Sequence, residues 1–175
     1  FGCGSGYGAA LLAATAEKVV GLDIDASAIE WARSTHRYPN LDFYRCDDLG
    51  AALSAESFDV VTCFEMIEHV DFATQRATIA SIARLLREDG VLIISTPNPE
   101  VTSLYGENPY HLREMSREEF KDLLSADFPH VHMLDQRVRE SIAFDDAALP
   151  KQSLEVLGQP EGKNPPLAYI AFCAK

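Results

Sequence analysis

Basic residues are scarce in this chain: 15 Lys and Arg stand against 27 Asp and Glu, for a formal net charge of -12. Phosphate backbones are bound largely through Lys and Arg, so this surface on average repels them, which argues against nucleic acid as a partner while leaving room for a local basic patch. Long apolar runs are missing as well. No stretch approaches the roughly 18 uninterrupted apolar residues that cross a bilayer, and no basic leader followed by an apolar run opens the chain. Paired cysteine spacing is also absent: Cys3, Cys46, Cys63 and Cys173 show no Cys-x-x-Cys, and three of them lie in apolar segments. Together these absences predict a soluble cytoplasmic protein with no membrane span and reduced, mostly buried thiols. No internal repeat or low-complexity tract occurs.

What is present is a chain of 175 residues, 47% of them apolar, enough to bury one core, and a single domain over 1–175 is expected. Strand-like and helix-like segments alternate, which predicts an α/β fold on a mostly parallel sheet. Helix character is read over 7–17 and 26–35, the second with Asp25 as its cap and Ile29 and Ala32 facing the core. A longer helix is expected over 72–88, ended by Gly90. A helix ending near Phe128 opens with Ser116 and Glu119 at capping-box spacing. Short apolar runs at 18–24, 41–46, 58–64, 91–95, 131–134 and 167–173 read as strands. The stretches 96–115 and 136–166 lack regular periodicity, and the first is long enough to suspect a functional loop. Trp31 and the other aromatics at helix and strand positions are expected in the core.

The opening FGCGSGYGA places Gly2, Gly4, Gly6 and Gly8 between an apparent strand end and a helix start. Glycines there let the backbone turn tightly and approach a ligand. Gly4, Gly6 and Ala9 alone also satisfy the Gly-x-Gly-x-x-Ala form of a dinucleotide fingerprint, so an NAD-binding dehydrogenase remains open at this point. Asp23 ends the second strand segment, where a carboxylate can accept both hydroxyls of an adenosine ribose. Ile24 beside it is placed to lie against the adenine. Asp47 and Asp48 follow the next strand on the same carboxyl edge, where one acid suits the exocyclic amine of adenine and the alternative is a solvated turn.

Taken together, the segments FGCGSGYGA, GLDID, CDDL, FDVVTCFEMIEHV and EDGVLIISTPN resemble the successive motifs of the class I S-adenosylmethionine-dependent methyltransferases, in the broad small-molecule group that includes the ubiquinone-biosynthesis O-methyltransferases. The resemblance runs through nearly the whole chain, and no dinucleotide dehydrogenase pattern continues with the fourth segment. It implies a Rossmann-like sheet of seven strands in the order 3-2-1-4-5-7-6, with helices on both faces and strand seven antiparallel. Carried over by position, it implies that Gly2, Gly4 and Gly6 line the methionine and ribose of the cofactor, Asp23 the ribose, Asp47 the adenine, and Phe64 and Glu65 the methionine end. The family pattern has an acid two places before the first motif glycine. Here that place precedes Phe1, so an apolar strand one ending in Asp or Glu is expected immediately upstream.

Glu65, Glu68 and His69 are spaced i, i+3 and i+4, so a helical turn after strand four would bring them to one face. Two carboxylates and an imidazole so placed suit a divalent ion or a histidine held for general-base work, and a solvated helix start is the plain alternative. His111 stands further on in NPYHLREMSREEF. Glu-x-x-Glu-His followed by STPNPE and His-x-x-Glu-x-Ser-Arg-Glu-Glu-Phe resembles the metal-binding pattern of the small-RNA ribose 2'-O-methyltransferases, which implies Glu65, Glu68, His69 and His111 as ligands. The same skeleton resembles bacterial methyltransferases that act on sugars and other small acceptors, where a metal need not be present. His69 and His111 are thus the candidate catalytic groups, S-adenosyl-L-methionine the expected cofactor, and a small hydroxyl compound the expected acceptor. A metal-dependent RNA 2'-O-methyltransferase and a non-catalytic cofactor-binding module are the competing readings. Tyr7, Tyr105 and Tyr110 are placed to wall an acceptor pocket, whereas His36, His130 and His132 read as surface or packing residues.

Overall fold

The computed structural model describes residues 1–46, 53–106, 108–137, 141–145, 153–157 and 165–175. Helix α1 (Tyr7–Ala13) leads into strand β1 (Val19–Asp23), helix α2 (Ala26–Thr35) and strand β2 (Leu41–Arg45). Strand β3 (Phe58–Phe64) is followed by a 3-10 turn (Ile67–His69), helix α3 (Phe72–Leu85) and strand β4 (Leu86–Pro97). A one-turn helix (Pro99–Thr102) and a 3-10 turn (Ser103–Tyr105) lead to helix α4 (Arg117–Ser125) and strand β5 (His130–Gln136). Strands β6 (Ser141–Asp145), β7 (Ser153–Leu157) and β8 (Ala168–Ala174) complete the described elements.

Strands β1 and β2 pair in parallel, and a four-stranded sheet runs β3-β4-β8-β5, with β3 and β4 parallel and β8 antiparallel to both of its neighbours. The fold is α/β, as the alternation of segments predicts. Between β1 and β3 lies the backbone of the first residues: Phe1 N donates to Thr62 O at 2.7 Å and Cys3 N to Leu22 O at 2.9 Å. The carboxyl ends of β1 and β3 therefore meet at the glycine loop. Within 136–166 the described residues form an antiparallel pair, β6 with β7.

Local signals account for several elements. Asp25 caps α2 by accepting from Ser27 N and Ala28 N, and Ile29 and Ala32 are its buried residues. Ser116 and Glu119 make the reciprocal bonds of a capping box at the start of α4. The core packs α3 and α4 against the four-stranded sheet through Ile79, Ile82, Leu92, Ile94, Phe120 and Leu124. A second cluster packs α1 and α2 on β1 and β2 around Phe43.

Expectations on helix ends and on aromatic burial are corrected, and helix α1 stops at Ala13, short of Glu17. Helix α3 stops at Leu85 rather than near Glu88, because Leu86 already has extended dihedrals and pairs with Phe58. Gly90 is therefore not a helix cap. It lies inside β4, where the register jumps from Phe58↔Leu86 to Val60↔Val91, so 87–90 bulge out of the ladder. Trp31 is not in the core but 61% exposed, since Ile29 and Ala32 define the buried side of α2, and Tyr44, Phe64, Phe72 and Phe172 at other helix and strand positions are likewise exposed, whereas Phe43 and Phe120 are buried. The thiols follow expectation: Cys46, Cys63 and Cys173 are buried, Cys3 is half-buried, and none is in a disulfide. Burial pushes Cys63 and Cys173 up to about 12.

Candidate active site

The glycine loop is built on left-handed backbone: Gly2, Gly4 and Gly6 have φ of 69°, 49° and 82°. At Gly6 the left-handed turn coincides with a close approach, because a Cβ there would lie 2.6 Å from the Phe43 ring and 2.8 Å from Ala32 Cβ. Gly4 is different, with the same sign of φ and open space within 4 Å. Its N–H donates to Asp23 Oδ2 at 2.7 Å, while Asp23 Oδ1 accepts from Asp25 N at 2.9 Å. Both carboxylate oxygens are thus oriented by the backbone at the loop. Ile24 is 66% and Phe64 51% exposed, so both present apolar surface at the carboxyl edge. Asp47 and Asp48 lie outside the described residues.

After β3 the chain turns sharply. Glu65 has φ of 48°, an uncommon left-handed conformation for a residue with a side chain. Ser95 at the end of β4 holds that turn: Glu65 N donates to Ser95 Oγ at 3.2 Å, and Ser95 Oγ donates to Glu65 Oε1 at 2.6 Å. Glu65 is thereby directed to Ser95. The 3-10 turn that follows buries Glu68 to 1% exposure and leaves His69 half-exposed.

Glu68, His69 and His111 come together, each offering one ligand atom, with those atoms all within 4.8 Å of one another. Glu65 does not belong to this group, so three of the four sequence-derived ligand candidates converge and the fourth stands apart. The rings of His69 and His111 meet edge to face, centroids 4.9 Å apart. His69 Nδ1 lies 2.8 Å from the Tyr110 carbonyl oxygen. A carbonyl only accepts, so this nitrogen carries a proton, and in the neutral ring Nε2 holds the lone pair. His111 Nδ1 bonds a carboxylate oxygen of Glu114, another pure acceptor, with the same consequence. Burial raises the Glu68 carboxyl above its ordinary value; its own backbone N–H and the two imidazoles oppose that rise and the Glu65 charge adds to it. A buried carboxylate beside two imidazoles that, as neutral rings, each keep an Nε2 lone pair is a set of electron donors. Such a set takes up a cation or a proton.

Two distant segments must dock for this to happen, and a helix residue joins them. Gln75, fully buried on α3, donates from Nε2 to Ile67 O and to Arg113 O, both at 3.0 Å, and accepts from Arg113 at 2.9 Å. Arg113 N also donates to Glu68 O at 3.0 Å. The Arg113 guanidinium lies over the Phe72 ring, 4.9 Å from its centroid. Sequence reasoning missed Gln75 and Glu114. The His111–Glu114 i, i+3 spacing was a usable signal for the second; a glutamine on an otherwise apolar helix face was a weaker one for the first. Tyr7 and Tyr110 are 71% and 74% exposed, open to a ligand.

A glycine-rich turn joining a strand edge to a helix, an acid at the end of the next strand and a donor cluster after β3 define a nucleoside-cofactor enzyme of the open α/β type. A family profile described as a methyltransferase domain matches residues 1–94. A probable S-adenosylmethionine-dependent methyltransferase of Mycobacterium tuberculosis is 39% identical over 127 residues, 70% of this chain and 44% of that protein. A ubiquinone biosynthesis O-methyltransferase of Thiobacillus denitrificans is 36% identical over 107 residues, 58% of this chain and 44% of that protein. The crystal structure of a SAM-dependent methyltransferase from Archaeoglobus fulgidus superposes with a TM-score of 0.74 at 17% identity, covering 99% of this chain and 83% of that one. This chain belongs to the class I S-adenosylmethionine-dependent methyltransferases. It spans less than half the length of the curated relatives it matches. Among the described residues no helix is long and apolar enough to cross a membrane.

Proposed function

We propose that the chain is the cofactor-binding and catalytic core of a cytoplasmic enzyme that transfers a methyl group from S-adenosylmethionine to a hydroxyl of a sugar or other small acceptor, with a divalent ion held by Glu68, His69 and His111. The carrying observation is the convergence of a buried carboxylate with two imidazoles whose Nδ1 protons are already committed to oxygen acceptors. Nitrogen and carboxylate donors bind divalent metals at about 2.0–2.2 Å, which sets them about 3.0–3.6 Å from one another around one ion, so ligand atoms now within 4.8 Å would share an ion after closing by about an ångström. The ion would supply the lowering of the acceptor hydroxyl's pKa.

The cofactor reading rests on the loop. Each Asp23 oxygen accepts one backbone N–H among the described residues and retains a lone pair for a ribose hydroxyl. Open space faces Gly4, Ile24 offers an apolar surface to the adenine, and Asp47 and Asp48 are assigned to its amine side by the sequence pattern alone. Phe64 and Glu65 follow β3 on the methionine side. Methyl transfer from a sulfonium needs chiefly an acceptor oxygen held in line with sulfur and carbon at near-attack distance. Tyr7 and Tyr110 are the exposed aromatic surfaces available to hold it. Where no ion is bound, the Nε2 of His69 or His111 is the group placed to take the hydroxyl proton.

The test uses full-length protein. Calorimetric titration should show binding of S-adenosylmethionine and S-adenosylhomocysteine and none of NAD. Transfer of labelled methyl to small hydroxyl acceptors should fall on chelation and on Glu68→Ala or His111→Ala. Absence of binding to either sulfur nucleoside would sink the main reading. Unchanged transfer with EDTA would remove the ion and leave the imidazoles as bases. Transfer to RNA alone would replace the small acceptor.

A further inference from the structure

Glu114 spans two loops that the sequence separates. One carboxylate oxygen accepts from His111 Nδ1, and the other accepts from the Thr102 hydroxyl. Its side chain is largely buried, 18% exposed, as is that of His111 at 14%. A largely buried carboxylate with a donor on each oxygen is fixed in orientation by both bonds, and it fixes its partners in turn. Tyr110 O does the corresponding work for His69, but a backbone carbonyl is placed by the chain, whereas Glu114 is a side chain whose removal is a clean test.

Resting on the reading of Glu68, His69 and His111 as one donor site, we propose that Glu114 is a positioning residue: clasped by Thr102, it holds His111 as the Nδ1–H tautomer with its Nε2 lone pair committed to that site. Without a pure acceptor at Nδ1, the His111 proton is free to sit on either nitrogen, and the ring is free to turn. A ring protonated at Nε2 offers the site an N–H instead of a lone pair and cannot bind an ion there. The Thr102 bond ties this choice to the helical turn after β4, so that the turn and the tautomer are set together. Partner groups of this kind on metal-bound histidines typically change ion affinity about 10–100-fold.

The experiment reads the tautomer and the ion separately. Long-range proton–nitrogen correlation spectra of nitrogen-15-labelled full-length protein should show His111 as the Nδ1–H form in the wild type and as a mixture or the Nε2–H form in Glu114→Ala. Titration with cobalt, followed by its visible absorption, should show affinity about 10–100-fold weaker in Glu114→Ala, with S-adenosylmethionine affinity unchanged. Thr102→Val, which leaves the His111–Glu114 bond in place, should move both readouts the same way by less, and it serves if Glu114→Ala does not fold. Glu114→Asp should restore part of the wild-type tautomer. A His111 that stays Nδ1–H, with cobalt affinity within twofold in Glu114→Ala, would overturn the proposal. A wild type that binds no cobalt but changes tautomer in Glu114→Ala would defeat the ion reading alone and leave Glu114 as the group that sets His111 for proton uptake.

Discussion

Exchanging Gly6 for alanine should damage the fold, whereas the same exchange at Gly4 should damage ligand binding and spare the fold. Both positions are left-handed, with φ of 82° and 49°, and an alanine pays roughly 1–2 kcal/mol for that conformation. Alanine also stiffens the unfolded chain, which returns about 0.4–1 kcal/mol. At Gly4 nothing lies within 4 Å of the new methyl, so the net cost is about 1 kcal/mol or less. At Gly6 the methyl would sit 2.6 Å from Phe43 Cζ and 2.8 Å from Ala32 Cβ. Phe43 is 3% exposed and Ala32 0%, so neither can move aside without displacing α2 from β2. Overpacking of this sort adds about 1–3 kcal/mol, for a total of about 1–4 kcal/mol. In a domain of this size that corresponds to a midpoint lower by roughly 2–15 °C. Urea unfolding and thermal melts of the two variants beside the wild type measure the difference, and titration with S-adenosylmethionine measures the second effect. Gly6→Ala within about 0.5 kcal/mol of the wild type, or equal losses of stability at the two positions, would refute the packing argument. Gly4→Ala with wild-type cofactor affinity would refute the placement of the ligand in front of that residue.

Other outcomes follow from single contacts. Gln75→Met keeps the volume and removes the amide, so that two carbonyls lose its donor and Arg113 keeps Glu119 but loses its second side-chain acceptor; a loss of about 2–3 kcal/mol is expected in urea unfolding, with a weaker His69/His111 site by cobalt titration. The Ser116 backbone N–H lowers the Glu119 carboxyl below its ordinary value of 4.5. Its contribution is therefore complete above 4.5 and lost as the pH falls through the lowered value, so the stability gap between wild type and Glu119→Ala should narrow in acid; a gap that is constant with pH would contradict the capping box. Cys63 and Cys173, pushed up to about 12 by burial, should resist iodoacetamide at pH 8 in the folded protein and react once it is unfolded in urea. Mass spectrometry of the alkylated peptides reads this directly.

The sequence by itself determined what depends on near neighbours. Asp25 and its two amides, and Ser116 with Glu119, are contacts within a few residues, so spacing reveals them, while β3 at Phe58–Phe64 showed as a short apolar run bounded by polar residues. The glycine spacing alone left the cofactor open between a dinucleotide and a methyl donor, and the resemblance of the successive motifs to the methyltransferase family is what implied S-adenosylmethionine. Only the tertiary structure decided the rest. Helix α3 ends at Leu85 because β3 offers Leu86 a strand partner 28 residues away, a competition that no local propensity records. Trp31 is exposed because α2 meets β1 and β2 through Ile29 and Ala32. Four ligand candidates became three because the left-handed turn at Glu65 gives its carboxylate to Ser95, while Gln75 and Glu114 joined the site across 38 and 12 residues of chain. Hydrogen bonds over such separations are fixed by packing rather than by spacing. The chemistry of the donor cluster was therefore legible as residue types, and its geometry only as contacts.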